Sequence, residues 1–211
     1  MNSSDARTLL ATPRKRILKD ITPGQYCHFG VANCIEILFS YLTDQNLNSI
    51  QVYINIDGLP ISKSSNSQFY PILCSLVENR NFVDMIGIYH GLEKPTFANE
   101  FLKDFVDEVI LLTNNGITIN GRTYSFKIKA FICDTPAKAF IMYAKGHTGY
   151  FSCSKCQIEG TFVDNRVCFP NIKNLVLRTD IDFRNKVQEE HYLGTSILEL
   201  IPNLNMINDI A

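Results

Sequence analysis

The chain has 211 residues, enough for one domain with a sizeable core, and its 45% hydrophobic and 19% charged residues exclude a disordered chain. The net charge of −1 argues against a stand-alone DNA-binding module, because any contact with nucleic acid must then come from local patches. The first residues have no apolar segment typical of a signal peptide, and no apolar run reaches the roughly 18 residues that span a bilayer. With seven cysteines, these features predict reduced thiols, a cytosolic or nuclear location and no membrane partner.

Residues 1–48 are interpreted as an N-terminal extension followed by a helix. The basic run Arg14-Lys15-Arg16 is typical of a solvated turn, with nuclear import or phosphate contact as the alternatives. Apolar residues at three- and four-residue spacing predict a helix over residues 30–44.

Residues 49–146 are predicted to form the catalytic core. Residues 51–57 alternate apolar and polar side chains and end on Asp57 before Gly58, which is typical of a strand. Two further apolar runs, residues 70–77 and 85–89, extend this strand into an antiparallel meander. The clearest amphipathic helix covers residues 98–112 and is terminated near Gly116.

A fourth long strand, residues 124–134, ends on Asp134 after a predicted hairpin turn at Asn120-Gly121. A short helix over residues 137–144 follows it. The order β-β-β-α-β-α is that of a ribonuclease-H-like α/β fold with a mixed sheet. A right-handed crossover makes the first and fourth strands parallel, so their carboxyl ends meet at one edge of the sheet.

The crossover therefore predicts that Asp57 and Asp134 lie close together. Paired carboxylates suit Mg²⁺ or Mn²⁺, and two such ions stabilise both the attacking and the leaving oxygen in phosphoryl transfer. The alternative is that each aspartate only starts a turn after its strand. Lys63 and Lys94 are candidates for contacts with phosphate near the first aspartate.

Residues 147–211 are predicted to contain an inserted Cys-rich β-hairpin (147–170) and a C-terminal helical segment from about Asp180. Cys153 and Cys156 form a C-x-x-C pair that supplies half of a structural zinc site, with His147, Cys168 and His191 as candidates for the rest. A redox pair or unpaired thiols are the alternatives. His28 and His90 are interpreted as hydrogen-bonded structural histidines.

Nine segments along almost the whole chain are similar to one family, the transposases of the CACTA (En/Spm) type. They are DARTLLATPRK (5–15), YCHFGV (26–31), DGLPISKSSNSQFYPIL (57–73), GIYHGLEKP (87–95), NEFLKDFVDE (99–108), KAFICDTPAKAF (129–140), GHTGYFSCSKC (146–156), RVCFP (166–170) and LRTDIDFR (177–184).

This resemblance implies a ribonuclease-H-like domain with a DDE/D acidic triad. Such enzymes use Mg²⁺ or Mn²⁺ to hydrolyse a strand at each transposon end and to join the freed 3′-hydroxyl to target DNA. Asp57 then resembles the first acid and Asp134 the second, and the C-x-x-C pair resembles a zinc-binding insertion. The implied partners are transposon ends and target DNA, with a homo-oligomer left open, and the implied location is the nucleus.

The sequence departs from the family pattern near Ala211. In the family, the segment similar to residues 194–209 continues into an acidic helix that contains histidine. We therefore expect the third acid and two zinc ligands to be missing, with Glu189 and Glu190 as substitutes for the acid, and we also expect the upstream DNA-end-binding region to be missing. The second hypothesis is a catalytically dead, transposon-derived module that binds DNA or protein, and the third is a zinc-ribbon redox or regulatory protein.

Overall fold

The computed structural model describes residues 17–62, 65–171 and 173–211, which form a mixed α/β structure. The predicted basic run at residues 14–16 lies outside these ranges. The strands are β1 (Lys19–Ile21), β2 (Gly24–His28), β3 (Ser49–Ile56), β4 (Leu59–Pro60), β5 (Gln68–Leu76), β6 (Asp84–Gly91), β7 (Ile117–Ile119), β8 (Arg122–Ile132), β9 (Thr161–Val163) and β10 (Arg166–Cys168). The α-helices in these ranges are α1 (Val31–Ser40), α2 (Ala98–Asn115), α3 (Thr135–Ile141) and α4 (Asp180–Arg184), and 3₁₀-helices cover Glu189–His191 and Ile197–Leu200.

The main sheet is built around β3. Its strand order is β1-β2-β6-β5-β3-β8-β7, with β4 paired to β5. β3 pairs antiparallel with β5 and parallel with β8, as the sequence predicts. Every second residue of β3 is buried, which agrees with its apolar–polar alternation and fixes its register against both neighbours.

The turn before β8 is confirmed at Asn120 and Gly121, whose φ angles of 51° and 77° both lie in the left-handed region. Asparagine and glycine adopt this conformation readily, and two such residues give a hairpin turn that matches the twist of its strands. The β7–β8 hairpin therefore begins the long strand that leads to Asp134.

Helices α1 and α2 pack on the sheet through apolar faces, and a carboxylate joins them. Glu108 of α2 accepts hydrogen bonds from the backbone N–H groups of Val31 and Ala32 at the start of α1. It also accepts one from His28 Nε2. His90 pairs with the Ser67 hydroxyl, so both histidines are hydrogen-bonded as predicted.

The first two strands and the last residues of the chain are structural features that the sequence interpretation did not predict. β1 and β2 extend the sheet beyond β6. After residue 194 the chain has little regular structure, yet many of its apolar side chains are buried: Leu198, Ile201, Leu204, Met206, Ile207 and Ile210. Residues from all three predicted segments therefore belong to one hydrophobic core.

The predicted Cys-rich β-hairpin is not present in the described residues. A small hairpin does form from β9 and β10, with Asp164 and Asn165 in left-handed conformations at its turn. Of the cysteines in this region only Cys168 lies on it, whereas Cys153 and Cys156 lie in irregular backbone before it. Near Asp180 the predicted helix is real but is only five residues long.

Within the described ranges, no helix combines the length and the hydropathy that are needed to cross a bilayer.

Candidate active site

Asp57 and Asp134 lie at the carboxyl edge of the parallel pair formed by β3 and β8. In the register of this pair, Asn55 lies opposite Ile132. Asp57 comes two residues after Asn55, and Asp134 comes two residues after Ile132. Both line one open cavity of about 250 Å³. The structure therefore brings together the two carboxylates that the crossover predicts to be neighbours.

Backbone N–H groups orient both carboxylates. Asp57 Oδ1 accepts a hydrogen bond from the Gly58 N–H at 2.7 Å, and Asp134 Oδ1 accepts one from the Ala137 N–H at 2.7 Å. Asp134 is thus the N-cap of α3, so the turn-forming role considered from the sequence is real for this residue. The second oxygen of each carboxylate has no hydrogen bond to the described residues and can bind a ligand.

Tyr70 is a member of this site that the sequence interpretation did not select. The register of β5 against β3 and β4 places Tyr70 opposite Gly58. A Cβ at Gly58 would lie 2.8 Å from the Tyr70 ring, so glycine allows the ring to pack over the backbone beside Asp57. Tyr70 lines the same cavity as the two aspartates. Burial raises the pKa of Tyr70, and the negative charges of Asp57 and Asp134 raise it further.

Lys94 brings a positive charge to the same cavity. Its side chain is exposed, and its ammonium lies 5.2 Å from the centre of the Phe140 ring. A cation beside two carboxylates can attract a phosphate group to them. Lys63, the other lysine predicted for such a contact, lies outside the described residues.

The C-x-x-C pair forms a separate local site. The Cys153 and Cys156 sulfurs are 3.3 Å apart, and the buried Arg178 donates to the carbonyl oxygens of both residues. Burial would raise the pKa of Cys153, but hydrogen bonds from the Lys155 N–H and the Cys156 thiol, with the charge of Arg178, lower it overall. Cys156 is buried, and this burial raises the pKa of its thiol, in contrast to the lowered pKa of Cys153.

The other predicted ligands do not complete either metal site in the part of the chain that the structure describes. No three His, Cys, Asp or Glu residues there form a group that could hold a metal ion. Glu189 and Glu190 lie in a 3₁₀-helix, and neither lines the aspartate cavity. His191 is buried and its Nδ1 hydrogen-bonds the Phe151 carbonyl oxygen, while His147 is exposed and Cys168 lies on β10.

No protein-family model matches the chain, and no curated protein matches it. The resemblance to CACTA transposases therefore stays a prediction.

Proposed function

We propose that this chain contains the ribonuclease-H-like core of a CACTA-type transposase, which cuts and joins DNA phosphodiester bonds with Mg²⁺ or Mn²⁺ in the nucleus. The observation that supports the proposal is the shared cavity of Asp57 and Asp134 at the edge of two parallel strands. The strand order around β3 is compatible with that fold, because β6, β5, β3 and β8 are adjacent and only the β3–β8 pair among them is parallel.

The donor set fits a hard divalent cation. Mg²⁺ binds oxygen ligands, keeps several waters and is held by one or two carboxylates in phosphoryl-transfer sites. Asp57 and Asp134 both line the cavity, and each uses one carboxylate oxygen for a backbone hydrogen bond, so the other oxygen can serve as a ligand. An open cavity of about 250 Å³ leaves room for the waters of such an ion.

When bound, the metal supplies an activated oxygen nucleophile and stabilises charge on the phosphoryl group. The chain contributes orientation, since the Gly58 and Ala137 N–H groups fix the two carboxylates. Lys94 would bind the phosphate on which the reaction occurs. Tyr70 stays neutral at physiological pH, because its raised pKa favours the protonated hydroxyl, and it can donate a hydrogen bond to a phosphate oxygen.

A second candidate function is a DNA- or protein-binding module without catalysis. Two observations favour it: the described residues provide no third acidic ligand beside the aspartate pair, and the net charge is −1. This module would keep the fold and the cavity but would not cleave DNA.

Manganese binding tests the site directly. We expect Mn²⁺ to bind the intact chain in a titration followed by electron paramagnetic resonance, and Asp57→Asn or Asp134→Asn to weaken binding at least about tenfold, because losing a direct ligand costs no less than losing a supporting contact. Asp107→Asn is the matched control, since Asp107 lies on the exposed surface of α2 and pairs with Lys103. Absence of Mn²⁺ binding, or equal binding by all variants, would refute the metal site.

Cleavage of supercoiled plasmid DNA in Mn²⁺ then separates the two functions. Nicking that both aspartate variants abolish supports the transposase core. Binding of Mn²⁺ and DNA without nicking favours the non-catalytic module.

A further inference from the structure

A second cavity, of about 460 Å³, adjoins the aspartate cavity. The two share Lys94, Pro136 and Phe140 as lining residues. A ligand whose phosphate lies at the aspartates could therefore extend into the second cavity without leaving the protein surface. This continuity makes the second cavity part of the same binding region.

The walls of the second cavity suit a flat aromatic ring. Phe97, Phe140 and Tyr143 contribute aromatic side chains, and the Phe97 side chain is exposed although it is large and apolar (52%). Lys94 and His147 also line the cavity, so aromatic surfaces and cationic or hydrogen-bonding groups occur together. Aromatic platforms beside positive charge are the usual means of binding unpaired nucleotides.

The backbone of Tyr143 adds an independent observation. Its φ of 52° is left-handed, at the position after the α3 C-cap where glycine is preferred. The Tyr143 N–H bonds the Phe140 carbonyl and the Ala144 N–H bonds the Ala139 carbonyl, which closes the helix in the Schellman pattern. A Cβ on Gly194 would lie 3.0 Å from the Tyr143 ring, so that ring packs against a bare backbone. This cap and this packing therefore give the Tyr143 ring a defined position at the wall of the second cavity.

We propose that this second cavity binds an unstacked nucleobase of DNA, next to the phosphate at Asp57 and Asp134. Lys94 contacts the phosphate that links this nucleotide to its neighbour, and the base stacks on Phe97 and Tyr143. The identity of the ligand as DNA rests on the proposed function. The substrate class that follows is DNA with an unpaired base at the cut site, such as a single strand or a frayed end.

The test compares a short single-stranded oligonucleotide with the corresponding blunt duplex by fluorescence anisotropy, in Ca²⁺ to prevent cleavage. We expect the intact chain to bind the single strand more tightly than the duplex. Phe97→Ala and Tyr143→Gly should each weaken single-strand binding roughly 5- to 100-fold, the range that loss of one stacked base gives. Lys94→Met should weaken it and reduce its salt dependence by about one phosphate contact.

Phe82→Ala is the matched control. Phe82 is also a part-exposed aromatic residue (41%), but it lies in the loop between β5 and β6, at the end of these strands away from Asp57, and stacks on Tyr41. This variant should bind both oligonucleotides as the intact chain does. Glycine is well suited to the left-handed position 143, so the Tyr143→Gly variant should fold and melt close to the temperature of the intact chain. A loss of binding in this variant is then not caused by misfolding.

Two results would overturn the proposal: equal binding of single strand and duplex, or single-strand binding that Phe97→Ala and Tyr143→Gly leave unchanged. Mn²⁺ titration of the same variants keeps this outcome distinct from failure of the proposed function. If the second cavity does not bind a nucleobase but the aspartates do bind metal, Mn²⁺ binding persists and only the preference for single-stranded DNA is absent. If the metal site is wrong, Mn²⁺ binding is absent in the intact chain as well.

Discussion

Glu108 offers the clearest test of how helices α1 and α2 are held together. Helix α1 has no side-chain cap of its own, because its N-cap residue is Gly30. Glu108, a residue of α2, caps α1 instead. Its carboxylate oxygens lie 2.6 Å from the Val31 nitrogen and 2.9 Å from the Ala32 nitrogen. His28 Nε2 donates to the same carboxylate at 2.9 Å, so three donors from two other elements depend on one side chain.

Removing this carboxylate should destabilise the protein substantially. A helix cap contributes about 1 kcal/mol, and a hydrogen bond to a charged group about 1.5–3 kcal/mol, most of it lost when a part-buried donor has no new partner. The Glu108 side chain is 26% exposed, so water can satisfy part of this loss. We therefore expect Glu108→Ala to lower the free energy of unfolding by about 3 kcal/mol at neutral pH, which for a domain of this size lowers the melting temperature by roughly 6–12 °C.

The effect should depend on pH with a definite sign. Burial alone would raise the pKa of Glu108, but the hydrogen bonds from His28, Ala32 and Val31 outweigh burial and lower the pKa below 4.5. Its stabilising contribution is therefore complete above the pKa of the unfolded chain and is lost as pH falls through the lower pKa of the folded protein. Glu108→Gln, which keeps the shape of the side chain but not its charge, should differ most from the intact chain near neutral pH and least in acid.

Urea denaturation at several pH values measures this difference, with Asp107→Asn as the control. Asp107 is adjacent in sequence but forms only an exposed ion pair with Lys103, which contributes less than about 1 kcal/mol. A Glu108→Gln effect that is the same in acid and at neutral pH would contradict the assigned role of the charge. So would a Glu108→Ala effect no larger than that of the control.

Three further predictions concern the two candidate metal sites. Gly58→Ala should weaken Mn²⁺ binding, because the new Cβ would lie 2.8 Å from the Tyr70 ring and the backbone whose N–H orients Asp57 would have to shift; unchanged binding would show that this backbone does not control the site. Iodoacetamide should modify Cys153 before Cys156, as mass spectrometry can measure, since the pKa of Cys153 is lowered whereas Cys156 is buried and its pKa is raised. Zinc should bind weakly, because the described residues add no third ligand to Cys153 and Cys156, and Cys153→Ser should abolish that binding; tight stoichiometric zinc in metal analysis would show that further ligands join the pair.

The central part of the fold was predictable from local patterns. β3 and β8 have the alternation that a half-buried strand requires, and the turn at Asn120-Gly121 has residues that favour left-handed conformations. The parallel pairing of these strands followed from a general rule of chain handedness. The prediction that Asp57 and Asp134 lie close together required only these local patterns and this rule.

The features that were missed depend on contacts between distant residues. β1 and β2 are short and partly polar. β2 becomes a strand because β6 offers hydrogen-bonding partners, and β1 pairs with β2 in turn. Tyr70 enters the site through the register of two strands, and Glu108 caps a helix that begins 77 residues earlier in the chain. No pattern within a short window contains this information.

The backbone at residues 209–211 has a practical consequence for work on this protein. Phe131 and Cys133, in the strand and turn that lead to Asp134, exchange hydrogen bonds with Asp209 and Ala211, and the Ile210 side chain is fully buried. An insertion within residues 209–211 would therefore displace the segment that positions this aspartate. Probes are better inserted at the exposed Asp164-Asn165 turn, where a reporter can follow titrations without disturbing the carboxylates it is meant to report on.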